Sequence, residues 1–114
     1  MQSGIRVLLW AGDADWICNY KGVQKVAEMV DFPGITEFGN AQLQSYTVNG
    51  EKKGEFKTVD NFSYLRVYGA GHEVPYYREW TSKHLWSGTD KETEPQTALQ
   101  VFEQTVKKMA ISST

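Results

Sequence analysis

The sequence has little of what marks several large classes of protein. It contains one cysteine, Cys18, which excludes an internal disulfide framework and argues against a cysteine-based zinc site. It has no basic run, and a formal net charge of −2 argues against a nucleic-acid surface. No apolar stretch approaches the roughly 18 to 20 residues that span a bilayer, so we expect no membrane segment. The first residues lack the pattern of a signal peptide, so we expect any targeting information to lie outside this chain.

The residues that are present indicate one small globular domain. The 114 residues include 40% apolar and 13% aromatic side chains, which is too rich a composition for a disordered chain. A chain of this length can bury about 60 to 70% of its unfolded surface. We therefore interpret residues 1–114 as a single domain.

Two apolar runs predict the central strands of this domain. Ile5–Trp10 and Phe62–Tyr68 are rich in branched and aromatic residues, which is typical of strands buried on both faces of a parallel sheet. Asn19 is a candidate N-cap for a helix that follows the first run. Between the runs, Asn49-Gly50 separates two strand-like segments and predicts a type I′ hairpin.

The last part of the chain predicts a surface segment and a second helix. Residues 78–94 are rich in serine, threonine, glycine and charge, so we interpret them as a surface insertion. Pro95 opens a helix of about 14 residues. We expect its apolar face to cover the sheet; that face comprises Ala98, Leu99, Phe102, Val106 and Met109.

The order strand, helix, hairpin, strand, helix predicts an α/β fold with a parallel strand pair. The run Ile5–Trp10 is predicted to be an internal strand, yet no segment of the chain is available to pair with its outer edge. The sheet is therefore expected to be incomplete.

Polar residues follow each of the two central strands. Gly12–Asn19 comes after the first strand and Gly69–Pro75 after the second, and reactive groups of open α/β sheets collect at such strand ends. Asp15 precedes His72 in the chain, as the acid precedes the histidine in the order Ser, Asp, His of α/β-hydrolases. A carboxylate can fix the imidazole tautomer and leave the other ring nitrogen free to take a proton.

The two segments together resemble the carboxypeptidase Y-like serine carboxypeptidase family. Its members carry Gly-Asp-x-Asp-x-x-Cys-Asn after one strand and Gly-x-Gly-His-x-Val-Pro after a later one, and both patterns occur here. The resemblance implies the C-terminal part of an α/β-hydrolase, with Asp15 as triad acid and His72 as general base. It places Cys18 and Glu73 beside the substrate pocket and implies no metal or organic cofactor.

The expected reaction is hydrolysis of the last peptide bond of a peptide or protein through an acyl-enzyme. None of the serines stands in the Gly-x-Ser-x-Gly setting of the family's nucleophile, so we expect the chain to be inactive without a serine-bearing N-terminal part. Glu73 implies a preference for a basic C-terminal residue. The resemblance also suggests a vacuolar, lysosomal or secreted parent enzyme, in which Asn61 would be a glycosylation site.

Other interpretations of the same residues stay open. Asp15 can be a turn-former, His72 a loop histidine and Cys18 a small buried apolar residue. The chain can also be a non-catalytic module that binds itself or a partner through the open sheet edge or through residues 78–94. A third interpretation is an unrelated α/β enzyme that uses Asp15, His72 and a reactive Cys18 thiolate.

Overall fold

The computed structural model describes residues 4–72, 74 and 94–114. Its elements in chain order are β1 (Val7–Gly12), α1 (Tyr20–Ala27), α2 (Ile35–Asn40), β2 (Gln44–Val48), β3 (Glu51–Val59), β4 (Phe62–Val67) and α3 (Glu94–Val106). The predicted α/β class is confirmed. Residues 78–93 of the predicted surface insertion lie outside the described residues, and Glu94 begins α3.

The four strands form one mixed sheet in the order β1-β4-β3-β2. β1 runs parallel to β4, as predicted, and the other neighbours are antiparallel. In the described part of the chain β1 is an edge strand with Val7–Trp10 only half-buried, so the prediction of an internal strand is wrong there. The expectation that its outer edge finds no partner in this chain, which leaves the sheet incomplete, is confirmed for the described residues. Its apolar sequence suits a strand with neighbours on both sides, but only its β4 side is covered.

The hairpin between β2 and β3 confirms the interpretation of Asn49-Gly50. Both residues have positive φ, 52° at Asn49 and 82° at Gly50, as a type I′ turn requires. The hairpin adds β3 and β2 to the side of β4 that faces away from β1, so it does not pair with the outer edge of β1.

Helices pack on both faces of the sheet. The face under α1 and α2 holds an aromatic cluster in which the Phe62 ring lies 5.1 Å from Phe32 and 4.9 Å from Phe38 between centroids. The other face holds the side chains packed with α3 and the C-terminal segment, namely Tyr46, Val48, Phe56, Leu65, Val67, Val101 and Ile111. Alternate residues of β4 point to opposite faces, which is why nearly all of that strand is buried.

The helices differ from prediction in two ways. Asn19 caps α1, which ends at Ala27, and a separate helix that the sequence did not predict, α2, begins at Ile35 directly after Gly34. In α3, the predicted covering face is wrong, because Leu99, Phe102, Val106 and Met109 are exposed. Thr97, Val101 and Gln104 face the sheet instead, and Gln104 accepts a hydrogen bond from the buried Tyr46 hydroxyl at 3.2 Å. Among the described helices, none combines the length and apolarity that a bilayer crossing requires.

Candidate active site

The parallel pairing of β1 and β4 brings the two polar segments to the same end of the sheet. Gly12 pairs with Val67 in the last register position. Beyond it, the Asp13 N–H donates to the Val67 carbonyl at 3.0 Å and the Ala14 N–H to the Ala70 carbonyl at 2.9 Å. A Cβ at Gly12 would lie 2.1 Å from the Ala70 oxygen, so only glycine allows this approach.

Asp15 and His72 are joined across this junction. The Asp15 Oδ2 lies 2.9 Å from His72 Nδ1. The other carboxylate oxygen accepts the backbone N–H groups of Ile17 at 2.9 Å and Cys18 at 3.0 Å. The Asp15 side chain is 6% exposed and that of His72 is 61% exposed, so a fixed carboxylate holds an imidazole that is open to solvent.

The hydrogen bonds determine the charge of Asp15. Burial opposes ionisation of the carboxyl group, but the Cys18 N–H, the His72 ring and the Ile17 N–H outweigh it and hold the pKa of Asp15 below its ordinary value. A carboxylate accepts hydrogen bonds only, so it selects the neutral His72 tautomer with the proton on Nδ1. Nε2 then carries the lone pair and can act as a base.

A second acidic residue, Asp13, fixes the two segments to each other. Its Oδ1 accepts the Gly69 N–H at 2.8 Å, and its Oδ2 lies 3.2 Å from Arg66 Nη2. The Arg66 guanidinium lies over the Tyr20 ring at 3.9 Å from the centroid. Sequence reasoning missed Arg66, although a charged residue within the apolar β4 run was a signal for it.

The other predicted site residues have different positions. Cys18 is exposed, so its interpretation as a small buried residue is wrong. Its sulfur and the ligand atoms of Asp15 and His72 all lie within 4.8 Å of one another. Glu73 lies outside the described residues. Asn61 is half-buried in the turn before β4, and its amide donates to the Ile5 carbonyl at 2.6 Å, a bond that a glycan on this nitrogen would disturb.

Two apolar side chains in the loop after β1 were not predicted as part of the site. Trp16 is 94% exposed and Ile17 is 80% exposed, and both directly follow Asp15 in the chain. Their signal in the sequence was an apolar pair inside an otherwise polar loop. They place apolar surface beside the carboxylate and imidazole pair.

Comparisons with known proteins identify the family that this sequence matches. The sequence model described as "Serine carboxypeptidase" matches residues 1–89. The chain is 57% identical to Carboxypeptidase S1 of Penicillium janthinellum over all 114 residues, which are 23% of that protein. It is 43% identical to Carboxypeptidase Y of Schizosaccharomyces pombe and 45% identical to that of Komagataella phaffii, each over 76 residues, which are 67% of this chain and 8% and 14% of those proteins.

The chain therefore spans less than a quarter of the length of these curated relatives. The alignment with the Penicillium protein continues through residues 78–94, so the predicted surface insertion has an aligned counterpart there.

Proposed function

This chain belongs to the serine carboxypeptidase family, and from that premise we propose that it supplies the acid and the base of a Ser-His-Asp triad. The reaction is hydrolysis of the last peptide bond of a peptide or protein. The observation that carries the proposal is the 2.9 Å contact between Asp15 Oδ2 and His72 Nδ1. The mixed sheet with helices on both faces is consistent with part of an α/β-hydrolase fold.

The contact supports a distinct role for each residue. Asp15 accepts a hydrogen bond from the Nδ1–H group and so keeps Nε2 as the base, which takes the proton of a serine hydroxyl as the serine oxygen attacks the scissile carbonyl carbon. The imidazolium then gives that proton to the departing amine, and an acyl-enzyme forms. Water attacks the ester with the same base, which releases the shortened peptide and restores the serine.

The serine itself must come from another part of a longer protein. None of the seven serines of this chain stands in a Gly-x-Ser-x-Gly elbow; they are Ser3, Ser45, Ser63, Ser82, Ser87, Ser112 and Ser113. The relatives are more than four times as long as this chain, which leaves room for a nucleophile outside the aligned region. We therefore expect no peptidase activity from the 114 residues alone.

A chimera tests this division of labour. The 114 aligned residues of the Penicillium carboxypeptidase S1 are replaced by this chain, and release of the C-terminal amino acid from a blocked dipeptide is measured for the chimera and for the isolated chain. We expect release by the chimera only. Release by the isolated chain that His72→Ala abolishes would contradict the proposal.

Variants of the chimera test the residues. Asp15→Asn leaves an amide where the carboxylate fixes the tautomer, and loss of a triad acid costs about 10⁴-fold in kcat. We expect a loss of that order for Asp15→Asn and no less for His72→Ala. Asp31→Asn is the matched control, because it makes the same change at an exposed carboxylate after α1. An active chimera that tolerates Asp15→Asn or His72→Ala would overturn the assignment.

Substrate preference follows from the residues beside the triad. We assign Cys18 and Glu73 to the substrate pocket, and an acid at position 73 favours a C-terminal lysine or arginine by charge. Glu73→Met in the chimera should lower kcat/KM for substrates ending in lysine or arginine relative to leucine. Glu73→Gln, which keeps the size and removes the charge, should act in the same direction. An unchanged ratio would reject the role of Glu73.

The parent protein is proposed to work in a vacuolar or secreted setting, where Asn61 can carry a glycan. Expression through a eukaryotic secretory route, followed by mass measurement before and after glycosidase treatment, tests the site. Asn61-Phe62-Ser63 is the acceptor motif for N-glycosylation, and a Ser63→Ala variant removes this motif and keeps Asn61. A mass that glycosidase does not change would reject glycosylation at Asn61.

One observation favours a second function, which is a non-catalytic module that associates with itself. The outer edge of β1 pairs with no strand in the described residues, and an unpaired edge favours addition of another strand. This function predicts a dimer at micromolar concentration in size-exclusion chromatography with light scattering. A monomer at every concentration would exclude it.

A further inference from the structure

Three different metal-ligating groups meet at the end of the sheet. A carboxylate oxygen of Asp15, the sulfur of Cys18 and an imidazole nitrogen of His72 lie within 4.8 Å of one another. Cys18 and His72 are exposed, so an ion can reach them from solvent. Oxygen, sulfur and nitrogen from these residue types are the donors that Zn²⁺ accepts in proteins.

We propose that Asp15, Cys18 and His72 form a binding site for a zinc ion, with water as the fourth ligand. The sulfur and the imidazole favour Zn²⁺ over Mg²⁺ and Ca²⁺, which prefer oxygen ligands alone. Three protein ligands and one water are the arrangement of open zinc sites. The single cysteine argued against a cysteine-based site; this mixed site needs only one.

The distances require a small closure of the three side chains. Tetrahedral coordination, with bonds of about 2.0 to 2.3 Å, separates neighbouring ligand atoms by roughly 3.5 Å. Since the ligand atoms lie within 4.8 Å of one another, no separation shortens by more than about 1.3 Å, and the 2.9 Å contact between Asp15 and His72 opens by roughly 0.5 Å. Rotation of the exposed Cys18 and His72 side chains supplies this without moving the core, and the thiol proton passes to solvent as the sulfur–zinc bond forms.

Backbone hydrogen bonds already fix the Asp15 carboxylate in an orientation suited to metal binding. One oxygen of Asp15 accepts the N–H groups of Ile17 and Cys18, which fixes the plane of the carboxylate and leaves Oδ2 as the ligand atom. Hydrogen bonds of this kind orient metal ligands and raise affinity. The Cys18 N–H also ties the cysteine backbone to the same carboxylate, so two of the three ligands belong to one rigid turn.

Zinc binding and base catalysis exclude each other at this site. A bound ion occupies His72 and Asp15 and breaks the hydrogen bond between them. If the proposed function holds, zinc is then a reversible inhibitor of the complete enzyme. The binding site itself does not depend on that function, because it follows from the positions of three side chains.

The test is a titration of the purified 114-residue chain with Co²⁺, a spectroscopic probe for zinc sites. We expect one equivalent to bind, a sulfur-to-cobalt charge-transfer band to appear, and Zn²⁺ to remove it. Cys18→Ser should abolish the band. Loss of a residue that only hydrogen-bonds to a metal ligand costs about 10- to 100-fold in metal affinity. His72→Ala and Asp15→Asn each remove a ligand itself, so each should weaken binding at least about tenfold.

Two controls keep the result specific. His84→Gln removes the other histidine, and Asp31→Asn removes an exposed carboxylate; neither should change the affinity. In the unmodified chain, Zn²⁺ should also slow alkylation of Cys18 by iodoacetamide, a readout that needs no variant. The proposal is overturned by absence of the cobalt band, by zinc affinity that survives Cys18→Ser, or by an alkylation rate that zinc does not change.

Discussion

Gly12→Ala should separate the two halves of the candidate site. The added Cβ would lie 2.1 Å from the Ala70 carbonyl oxygen and 2.6 Å from that of Gly71. Ordinary carbon–oxygen contacts are about 3.3 Å or longer, so the two backbones must move apart by roughly 1 Å. That movement lengthens the 2.9 Å bond from the Ala14 N–H to the Ala70 carbonyl beyond a useful hydrogen bond.

The expected cost comes from two sources. Overpacking of a close contact costs about 1 to 3 kcal/mol, and the lost backbone hydrogen bond adds about 1 kcal/mol. We therefore expect Gly12→Ala to lower the free energy of unfolding by about 2 to 4 kcal/mol and to weaken the Asp15–His72 contact.

Denaturant unfolding followed by circular dichroism measures the change in stability, and imidazole NMR follows His72. Gly39→Ala is the matched control, because its new Cβ in α2 meets no atom within 4 Å. Alanine is favoured over glycine in a helix by about 0.5 to 1 kcal/mol, so this control should be neutral or stabilising. A Gly12→Ala chain as stable as the unmodified one, with an unchanged His72 spectrum, would refute the reasoning.

Three further predictions concern the elements around the site. Asn19→Ala should cost about 1 kcal/mol in denaturant unfolding, because the Asn19 side chain accepts the Gly22 N–H at 2.9 Å at the start of α1, whereas Asn19→Asp should keep most of the stability. Burial raises the pKa of Tyr64 to about 12, and its hydroxyl donates to the Tyr20 carbonyl. Because the unfolded tyrosine loses its proton at lower pH than the folded one, the free energy of unfolding should fall as pH rises from about 10 towards 12. Tyr64→Phe should reduce this slope. The lowered pKa of Asp15 means that its contribution is present above the unfolded carboxyl pKa and is lost as pH falls through the folded one, so Asp15→Asn should flatten the acid side of a stability-against-pH curve; an unaltered acid side would contradict this.

The strands and the hairpin could be predicted because their signals are local. Asn49-Gly50 specifies its turn by allowing positive φ at two positions, and the apolar run of β4 specifies a buried strand. The apolar run of β1 by itself predicted an internal strand, whereas the lack of a second partner segment in the chain predicted an unpaired outer edge, and the described residues confirm that edge. The prediction of the buried face of α3 was wrong, because its apolar stripe is exposed and Gln104 faces the sheet, where it accepts a hydrogen bond from the Tyr46 hydroxyl.

The candidate site followed from order and topology. Asp15 and His72 were placed together because parallel strands bring their carboxyl ends to one edge, and their contact agrees with that reasoning. The role of Arg66 depends on Asp13 and Tyr20, which come from distant parts of the chain. The sequence marked Arg66 only as a charge within the apolar β4 run and did not identify these partners. The exposure of Cys18 depends on how its loop turns, which no local pattern of the sequence reveals.

The most direct test of the central claim is the tautomer of His72. In a ¹⁵N-labelled chain carrying His84→Gln, His72 is the sole histidine, and its ring nitrogens can be assigned by NMR at a pH where the ring is neutral. A carboxylate 2.9 Å from Nδ1 requires the proton to be on Nδ1, and Asp15→Asn should shift the population towards the Nε2 form. A proton found on Nε2, or a tautomer that Asp15→Asn leaves unchanged, would contradict the account.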